Sequence, residues 1–560
     1  MGFQSLDGIN SLARFPYRCA IYTEKVEISG TQSGSLNPME HRRLLRSVGT
    51  VSACTMLSRL LGLLRETVTA AAFGTSAVMS DFVVAFRIPN MFRALFGEGA
   101  LSSAFVPVFS AVRAKEGEPA AWRFARRVFT LLGTVLIVIV LIGIGITFLP
   151  PLVEAFRKGT QTLPLLRIML PYLFFICLTA LSQGILNSFG KFALAAFTPC
   201  LLNITWIAFV IFVCPRMGAR PEDQIAGVAF GVLVAGAVQL AAQLPAMYRL
   251  GWRPGVDLNT KDPQVTRFLG LMAPTALGQS VSQVNMTINS IMARWATPWA
   301  AAAMYFAERL LYFPQGILAT AMSTVLLPAF SGHAAIGEHD RIRETINRAL
   351  RMLLFVMIPA AVGLMALARP VTEMLLGWGA FDVDSVDRTA AVLRVYAPGL
   401  FFFGLAKVFV PAFYGLGDTR TPYRNGLYSV GVNFSLNLVF TLTLPTEYKA
   451  MSLAGSAVVS EAFNGLTLGW RIHRRIGSPG WLSVLAGAGR ALIAAVIMGA
   501  TVILVHGWIF QALENHLVAK LTQFISVGGA IAVGMIVYLL ASVLLCRREA
   551  AQVFNAVLHR

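Results

Sequence analysis

Charged residues within an otherwise apolar stretch are the first feature of this sequence that could do chemistry. Residues 56–110 are apolar enough to form two membrane-spanning helices, yet they contain seven charged side chains. These are Arg59, Arg65, Glu66, Asp81, Arg87, Arg93 and Glu98. A charge at the middle of a bilayer costs about 3 kcal/mol on insertion scales, so such residues usually face a partner or a water-filled cavity. Because the arginines outnumber the carboxylates, the surplus charge favours binding of an anion.

Helical geometry assigns these arginines different tasks. Arg59 and Glu66 are seven residues apart, which places them on one stripe of a helix, with Arg65 about 120° away. We interpret Arg87 as an arginine that snorkels to an interface or neutralises a carboxylate in a structural pair. Arg65 and Arg93 are then the candidates for contacting the anion, and Arg59 supports them.

A later part of the chain repeats this pattern. The apolar stretch around 279–290 is rich in amide and hydroxyl side chains, and Glu308 and Arg309 follow in the next apolar stretch. We expect Arg309 to face the same cavity, with Glu308 beside it. Planar guanidinium groups bind phosphate oxygens bidentately and stay charged at any relevant pH. The candidate arginines of the two segments therefore suit a phosphate or pyrophosphate headgroup that crosses a bilayer.

The elements that must position these residues are membrane-spanning helices. The 560 residues are 56% hydrophobic and 13% charged, with a mean hydropathy of +0.67, whereas soluble domains are about 45–50% apolar and 25% charged. This composition predicts an all-α polytopic membrane protein. The net charge of +19 lies mainly in short loops, which argues against nucleic acid as a partner and, by the positive-inside rule, predicts that both termini are cytoplasmic.

Apolar stretches of about 20 residues or more predict about fourteen transmembrane helices. They lie near 45–73, 79–112, 127–150, 164–189, 192–214, 224–249, 264–294, 299–331, 345–368, 389–415, 424–445, 450–472, 484–511 and 518–546. An internal repeat supports this number, because VPVFS at 106–110 recurs as LPAFS at 327–331. Each repeat unit would contain six helices, so we predict two pseudo-symmetric six-helix lobes and a C-terminal helix pair.

The predicted boundaries follow from these spans. Residues 1–40 form a disordered N-terminal extension, which translation from Met39 would omit. Residues 41–250 form the first lobe with helices 1–6, and residues 251–475 form the second lobe with helices 7–12. Residues 476–560 form helices 13–14 and a tail.

Other chemistries leave little trace in the sequence. It has no phosphate-binding loop of a nucleotide-driven pump, and its histidines and cysteines are dispersed without metal-ligand spacing. The glycine-rich segment 415–420 fits a tight turn between two helices better than a phosphate site. We therefore predict no catalytic residue, no metal site and no cofactor.

Three motifs resemble those of a known transporter family. The sequences SRLLGLLRE (58–66), SDFVVAFRIPNMFRALFGEGALSSAFVPVF (80–109) and YFAERLLYFPQGIL (305–318) resemble the MurJ (MviN) lipid II flippases. These belong to the multidrug/oligosaccharidyl-lipid/polysaccharide (MOP) exporter superfamily. The resemblance extends from about Met39 to the C-terminus. It implies fourteen helices in two six-helix lobes around a central cavity, and a terminal helix pair whose groove holds a polyprenyl tail.

The resemblance also implies roles for individual residues. The substrate-binding arginines of that family correspond to Arg59, Arg65, Arg93 and Arg309 in this sequence. The family's acidic cavity partners fall on Glu66, Asp81, Glu98 and Glu308. The chain departs from some relatives at Ala94, where they have a second arginine, and at Tyr312, where they have a carboxylate. Some members bind Na⁺ through carboxylates where this chain has Asn289, Asn433 and Asn437, so only a weak cation site is expected here. The membrane potential or an ion gradient would supply the driving force.

The resemblance implies a lipid II flippase of the bacterial cytoplasmic membrane. It would move the undecaprenyl-pyrophosphate-linked peptidoglycan precursor from the inner to the outer leaflet by alternating access. Its partners would be lipid II, membrane lipids and cell-wall synthesis or division proteins. Two alternatives stay open. The first is a related exporter of polyprenyl-linked oligosaccharides or of drugs and cations; a cation exporter would need a cavity dominated by carboxylates. The second is a membrane enzyme acting on polyprenyl-phosphate sugars, which would need a carboxylate base or a metal ligand in an extracytoplasmic loop.

Overall fold

The computed structural model describes residues 38–97, 100–155, 160–259, 261–547 and 549. The chain divides into two units, Met1–Gly49 and Thr50–Arg560, and every contact reported below lies within the second. Of the predicted N-terminal extension, residues 1–37 lie outside the described residues, and residues 38–40 belong to the first helix. Residues 548 and 550–560 of the predicted tail also lie outside them.

Helices make up nearly all of the described chain, and no strand occurs in it. A helix satisfies its own backbone hydrogen bonds, which a segment surrounded by hydrocarbon requires. The α-helices are α1 (Pro38–Phe73), α2 (Ala77–Phe92), α3 (Ala100–Glu116), α4 (Glu118–Ile146), α5 (Pro150–Ala155), α6 (Thr162–Met169), α7 (Tyr172–Ser188), α8 (Phe192–Ala208), α9 (Pro221–Arg249), α10 (Pro263–Ala296), α11 (Ala300–Ala335), α12 (His339–Ala366), α13 (Ala368–Leu376), α14 (Val383–Tyr396), α15 (Gly399–Gly415), α16 (Arg420–Thr443), α17 (Thr446–Ile476), α18 (Trp481–Leu513) and α19 (Ala519–Leu545).

Each of the fourteen predicted spans coincides with one helix or with consecutive helices. Seven helical segments of the described chain are long and apolar enough to cross a membrane unaided, and the bent pair α14 and α15 makes an eighth. The candidate residues that the structure describes all lie in the remaining segments, which are less apolar or interrupted. The polar site is therefore built from the helices that are least suited to face lipid.

Several of the predicted spans are interrupted by breaks that the sequence analysis did not place. The span 79–112 comprises α2, a π-helical turn at Arg93–Gly97 and α3. The span 164–189 is divided between α6 and α7 at Pro171, and the span 389–415 is divided between α14 and α15 at Pro398, with a bend of 46° at the second break. Proline donates no backbone hydrogen bond and its ring crowds the preceding turn, which explains both of these breaks.

Two halves meet through a small set of helices. We call residues 50–250 the first half and residues 251–475 the second half. Helix α10 packs against α2 and α3, and α11 packs against α2. The C-terminal pair belongs with the second half, because α18 packs against α12 as well as against α19. The charged candidates that the structure describes lie on α1, α2, the π-helical turn at Arg93–Gly97 and α11.

A backbone-level contact closes one end of the interface between the halves. The N–H of Ala380 donates to the carbonyl of Ala71 at 2.7 Å. The Oγ1 of Thr75 lies 2.9 Å from the Oγ of Ser385, which also accepts the Thr75 N–H at 3.1 Å. A Cβ at Gly379, whose φ is +55°, would lie 2.4 Å from the Ala71 carbonyl oxygen, so only glycine fits there. We call these five residues the seam.

Candidate functional site

Arg65 and Glu66 form a buried ion pair on α1. A guanidinium nitrogen of Arg65 donates to the Oε1 of Glu66, a residue that is only 5% exposed. The Cζ of Arg65 also lies 4.7 Å from the ring centroid of Trp206 on α8. Trp206 is held in turn by a 3.1 Å hydrogen bond from its Nε1 to the Oγ1 of Thr69. The guanidinium group is thus fixed between a carboxylate and an aromatic face.

Arg309 brings the second half to the same carboxylate. It lies four residues after Tyr305 on α11, so the two side chains share a helix face, and the Cζ of Arg309 is 4.6 Å from the Tyr305 ring centroid. The Tyr305 hydroxyl donates to the Oε1 of Glu66 at 3.1 Å. The Nε of Arg309 is 3.6 Å from that oxygen. Two predicted arginines from different halves therefore converge on one predicted acid.

Both converging arginines keep an unused donor. The Nε atoms of Arg65 and Arg309 are buried and have no hydrogen-bond partner among the described residues. A buried N–H group without an acceptor is costly, and one carboxylate, Glu66, cannot neutralise two cations. The arrangement therefore provides both the charge and the free donors that an incoming anion needs.

Arg87 and Glu308 form a second buried pair. Arg87 on α2 donates to the Oε2 of Glu308 on α11 and, through its Nε at 3.1 Å, to the Oγ of Ser290 on α10. This is the structural pairing that the sequence analysis assigned to Arg87, although Glu308 was expected to partner Arg309. We call the following six residues the charge cluster: Arg65, Glu66, Arg87, Tyr305, Glu308 and Arg309.

Asp81 has a different partner from those expected. It was predicted to serve the four candidate arginines, but its Oδ1 accepts from the Nε of Arg294 at 2.7 Å and from the Oγ1 of Thr162 at 2.8 Å. Its Oδ2 accepts from the backbone N–H of Gln161 at 2.9 Å. Asp81 therefore joins α2 to α10 and α6. The sequence analysis did not identify Arg294, although an arginine within a membrane helix usually has a polar partner and could have been predicted to pair with a carboxylate.

The other predicted residues lie apart from Glu66 or outside the described residues. Arg93 opens the π-helical turn, is half-buried and donates through its Nε to the Oδ1 of Asn90 at 3.0 Å. Arg59 is exposed on α1, with its Nη2 3.8 Å from the position of a Cβ added at Gly316 of α11. Glu98 lies outside the described residues.

The three asparagines of the predicted weak cation site lie together. The Nδ2 of Asn437 donates to the Oδ1 of Asn289 at 2.6 Å and to the Oδ1 of Asn433 at 2.7 Å. The Oδ1 of Asn437 is buried without a hydrogen-bond partner in the described chain. No group of three or more His, Cys, Asp and Glu side chains in the described ranges could hold a metal ion.

An apolar cavity of about 800 Å³ lies between the second half and α18. Side chains of α12, α15, α17 and α18 line it, among them Leu354, Phe409, Trp470 and Leu485. Near one end it includes His473, in a segment with Arg474 and Arg475. We call this cavity the apolar groove. Its surface suits an aliphatic chain.

A family model decides the class of this protein. The model described as "Lipid II flippase MurJ" matches residues 69–523. The chain belongs to the MurJ family. The probable lipid II flippase MurJ of Vibrio cholerae is 36% identical over 471 residues, which cover 81% of this chain and 89% of that protein. The lipid II flippase MurJ of Burkholderia cenocepacia is 34% identical over the same shares.

Solved structures agree with the MurJ fold. A structure of lipid II flippase MurJ in an inward closed conformation matches with a TM-score of 0.69 and 24% identity, covering 91% of this chain and 99% of that one. An inward-facing multidrug resistance MATE family transporter of the MOP superfamily matches with a TM-score of 0.61 and 15% identity, over 76% and 98%. The predicted MurJ-type fold is confirmed, and this MurJ family member is a multi-pass membrane transporter.

Proposed function

We propose that this protein is a lipid II flippase, which carries the undecaprenyl-pyrophosphate-linked peptidoglycan precursor from the inner to the outer leaflet. Its MurJ relatives, by name lipid II flippases or probable ones, support this proposal. The observation that carries it is the convergence of Arg65 and Arg309 on Glu66 with two buried Nε–H donors unused. A pyrophosphate offers acceptors for both donors and charge for both cations.

Glu66 acts as an internal substitute for the substrate anion. In the empty carrier it offsets the charge of Arg65 and Arg309, which lowers the cost of holding two cations in the membrane. When the pyrophosphate enters, it takes over these contacts, and after release Glu66 restores them. Arg59 and Arg93 extend the clamp along α1 and beyond α2.

Alternating access requires the seam to open. The seam and the Asp81–Arg294 pair hold α1 and α2 against α10 and the α13–α14 region. These contacts are few and polar, so they can be exchanged for contacts with water. Because α1 ends and α2 begins there, and we propose that the termini are cytoplasmic, the seam closes the outer face.

The apolar groove holds the polyprenyl tail while the headgroup crosses. Its apolar surface offers a lipid chain the same environment as the bilayer. The groove lies beside α18, so the tail stays at the periphery while the two halves move around the headgroup. The basic residues near His473 then lie on the cytoplasmic side.

The driving force acts on the charge of the cargo. An inside-negative potential favours export of an anion by about 2.3 kcal/mol per charge per 100 mV. The amide cluster of Asn289, Asn433 and Asn437 would contribute a weakly held cation such as Na⁺, because amide oxygens without carboxylates bind hard cations poorly.

The test replaces the converging arginines in cells that depend on this protein. Arg65→Ala and Arg309→Ala should reduce the lipid II accessible at the outer face by about 10- to 100-fold, since each removes charge-assisted hydrogen bonds to the phosphates. The lysine variants should retain part of the transport, because charge remains without bidentate geometry. Arg220→Ala is the matched control, since this side chain is 77% exposed.

Two results would contradict the proposal. Undiminished lipid II at the outer face after depletion of the protein would show that its cargo is another one. Full transport by both alanine variants would show that these arginines do not hold the headgroup.

A further inference from the structure

Tyr305 is a member of the charge cluster that the sequence did not single out. Its residue is only 2% exposed. Its ring faces two guanidinium groups, with the Cζ of Arg309 at 4.6 Å and the Cζ of Arg87 at 5.9 Å from the centroid. The negative face of an aromatic ring attracts a cation more strongly where water is excluded. The Tyr305 ring thus stabilises the position of the Arg309 guanidinium group by a cation–π contact.

The hydroxyl of Tyr305 has a separate task. It donates to the Oε1 of Glu66 at 3.1 Å and so joins α11 of the second half to α1 of the first. The same oxygen accepts from Arg65. The Nε of Arg309 is 3.6 Å from this oxygen, which is beyond hydrogen-bond distance. Glu66 therefore attracts Arg309 without accepting a hydrogen bond from its Nε.

We propose that Tyr305 is a positioning residue that keeps Arg309 available to the pyrophosphate. This inference rests on the proposed lipid II flippase function. The ring holds the guanidinium group through its π-face, which uses none of the N–H donors. The hydroxyl donates a hydrogen bond to the Glu66 carboxylate and holds it in place. The carboxylate therefore does not move close enough to Arg309 to accept a hydrogen bond from it. Arg309 is thereby held in place with its donors open.

Removing the Tyr305 hydroxyl should favour the pairing of Arg309 with Glu66 over its binding to the substrate anion. In Tyr305→Phe the ring remains, but Glu66 loses one donor and can move the short distance needed to hydrogen-bond Arg309. The internal pair then competes better with the substrate anion, so lipid II should bind more weakly. If Glu66 is replaced by glutamine, which carries no charge, residue 66 no longer competes with the substrate anion for Arg309. Loss of the Tyr305 hydroxyl should then have little effect on binding.

The experiment measures binding of fluorescent lipid II to the full-length protein in nanodiscs of defined lipid composition. Tyr305→Phe should raise the Kd roughly tenfold, the effect of one hydrogen bond to a charged group. In the Glu66→Gln background, the same substitution should change the Kd less than twofold. Tyr428→Phe, at an exposed position on α16, is the control for loss of a hydroxyl.

Each other outcome overturns the inference. An equal loss of binding in both backgrounds would mean that the Tyr305 hydroxyl acts independently of the charge of Glu66, and no loss in either would mean that this hydroxyl does not matter. If wild-type protein binds lipid II and Arg65→Ala abolishes that binding while Tyr305→Phe does not weaken it, only this inference fails. Wild-type protein that binds no lipid II would overturn the proposed function as well.

Discussion

Contacts decide the role of each arginine at the scale of single residues, because the side chain is charged in every setting. Arg87 is buried and bonded to both Glu308 and Ser290. Arg65 and Arg309 share one carboxylate and retain unused donors. The first arrangement is that of a structural ion pair, whereas the second is that of a site awaiting an anion.

Substitution of Arg87 should therefore affect stability before binding. Arg87→Ala leaves Glu308 buried without its cation, which should lower the free energy of unfolding by about 3–5 kcal/mol. The double variant Arg87→Met with Glu308→Leu removes both charges and should recover most of this loss. Thermal unfolding in detergent, followed by intrinsic fluorescence, compares the two. A double variant no more stable than Arg87→Ala would contradict the structural role.

The sequence analysis singled out the charged members of the charge cluster but not the way they pair. Arg65, Glu66 and Arg309 stand out because charges are rare in apolar segments. Tyr305 does not, since an aromatic residue in a membrane helix is usually a packing residue. The pairing of Asp81 with Arg294 depends on the register of α2 against α10, which no local pattern fixes.

Helices were predictable at the scale of elements because a span needs about 20 apolar residues. The turn at 415–420 is also confirmed, since α15 ends at Gly415, α16 begins at Arg420 and Gly417 has a φ of +75°. The breaks at Pro171 and Pro398 were missed because hydropathy averages over the residues that interrupt a helix. The length of an apolar stretch thus predicts that the chain crosses the membrane, but not whether the helix that crosses it is unbroken.

The turn between α15 and α16 gives a pH-dependent prediction. Burial alone would raise the pKa of Asp418, but hydrogen bonds from Thr421 and the charge of Arg475 hold this pKa below its usual value of 3.8. The folded pKa is below the unfolded one, so ionised Asp418 stabilises the fold above about pH 3.8, and this contribution is lost as pH falls through the folded value.

Asp418→Asn should accordingly lower the Tm by about 1–3 °C at pH 7, the range of a partly exposed ion pair. The difference from the wild type should shrink as the pH falls below about 3.8, because the unfolded chain then takes up a proton at Asp418 before the folded protein does. Apparent Tm values measured from pH 7 to pH 3 check this. A difference that is constant across this range would mean that the charge of Asp418 does not contribute.

At the scale of the whole molecule, the sequence could predict two halves but not which end of the interface between them is closed. The internal repeat and the apolar spans pointed to two helical units. The seam depends on a close contact between Gly379 and Ala71. The hydrophobic periodicity of the sequence does not predict this contact. If the protein works by alternating access, this seam must separate in every cycle.

A disulfide across the seam should arrest the cycle. The side-chain oxygens of Thr75 and Ser385 are 2.9 Å apart, so cysteines at both positions can meet with little backbone movement. After oxidation, Thr75→Cys/Ser385→Cys should translocate lipid II at least tenfold more slowly than the wild type, and reductant should restore the rate. The two single variants show what the lost hydrogen bond costs, and oxidant should leave their rates unchanged. Lipid II should still bind to the cross-linked protein, because Arg65 and Arg309 are untouched. Full transport with the cross-link complete would mean that the halves exchange access without parting at this end, and the outer opening would have to lie elsewhere.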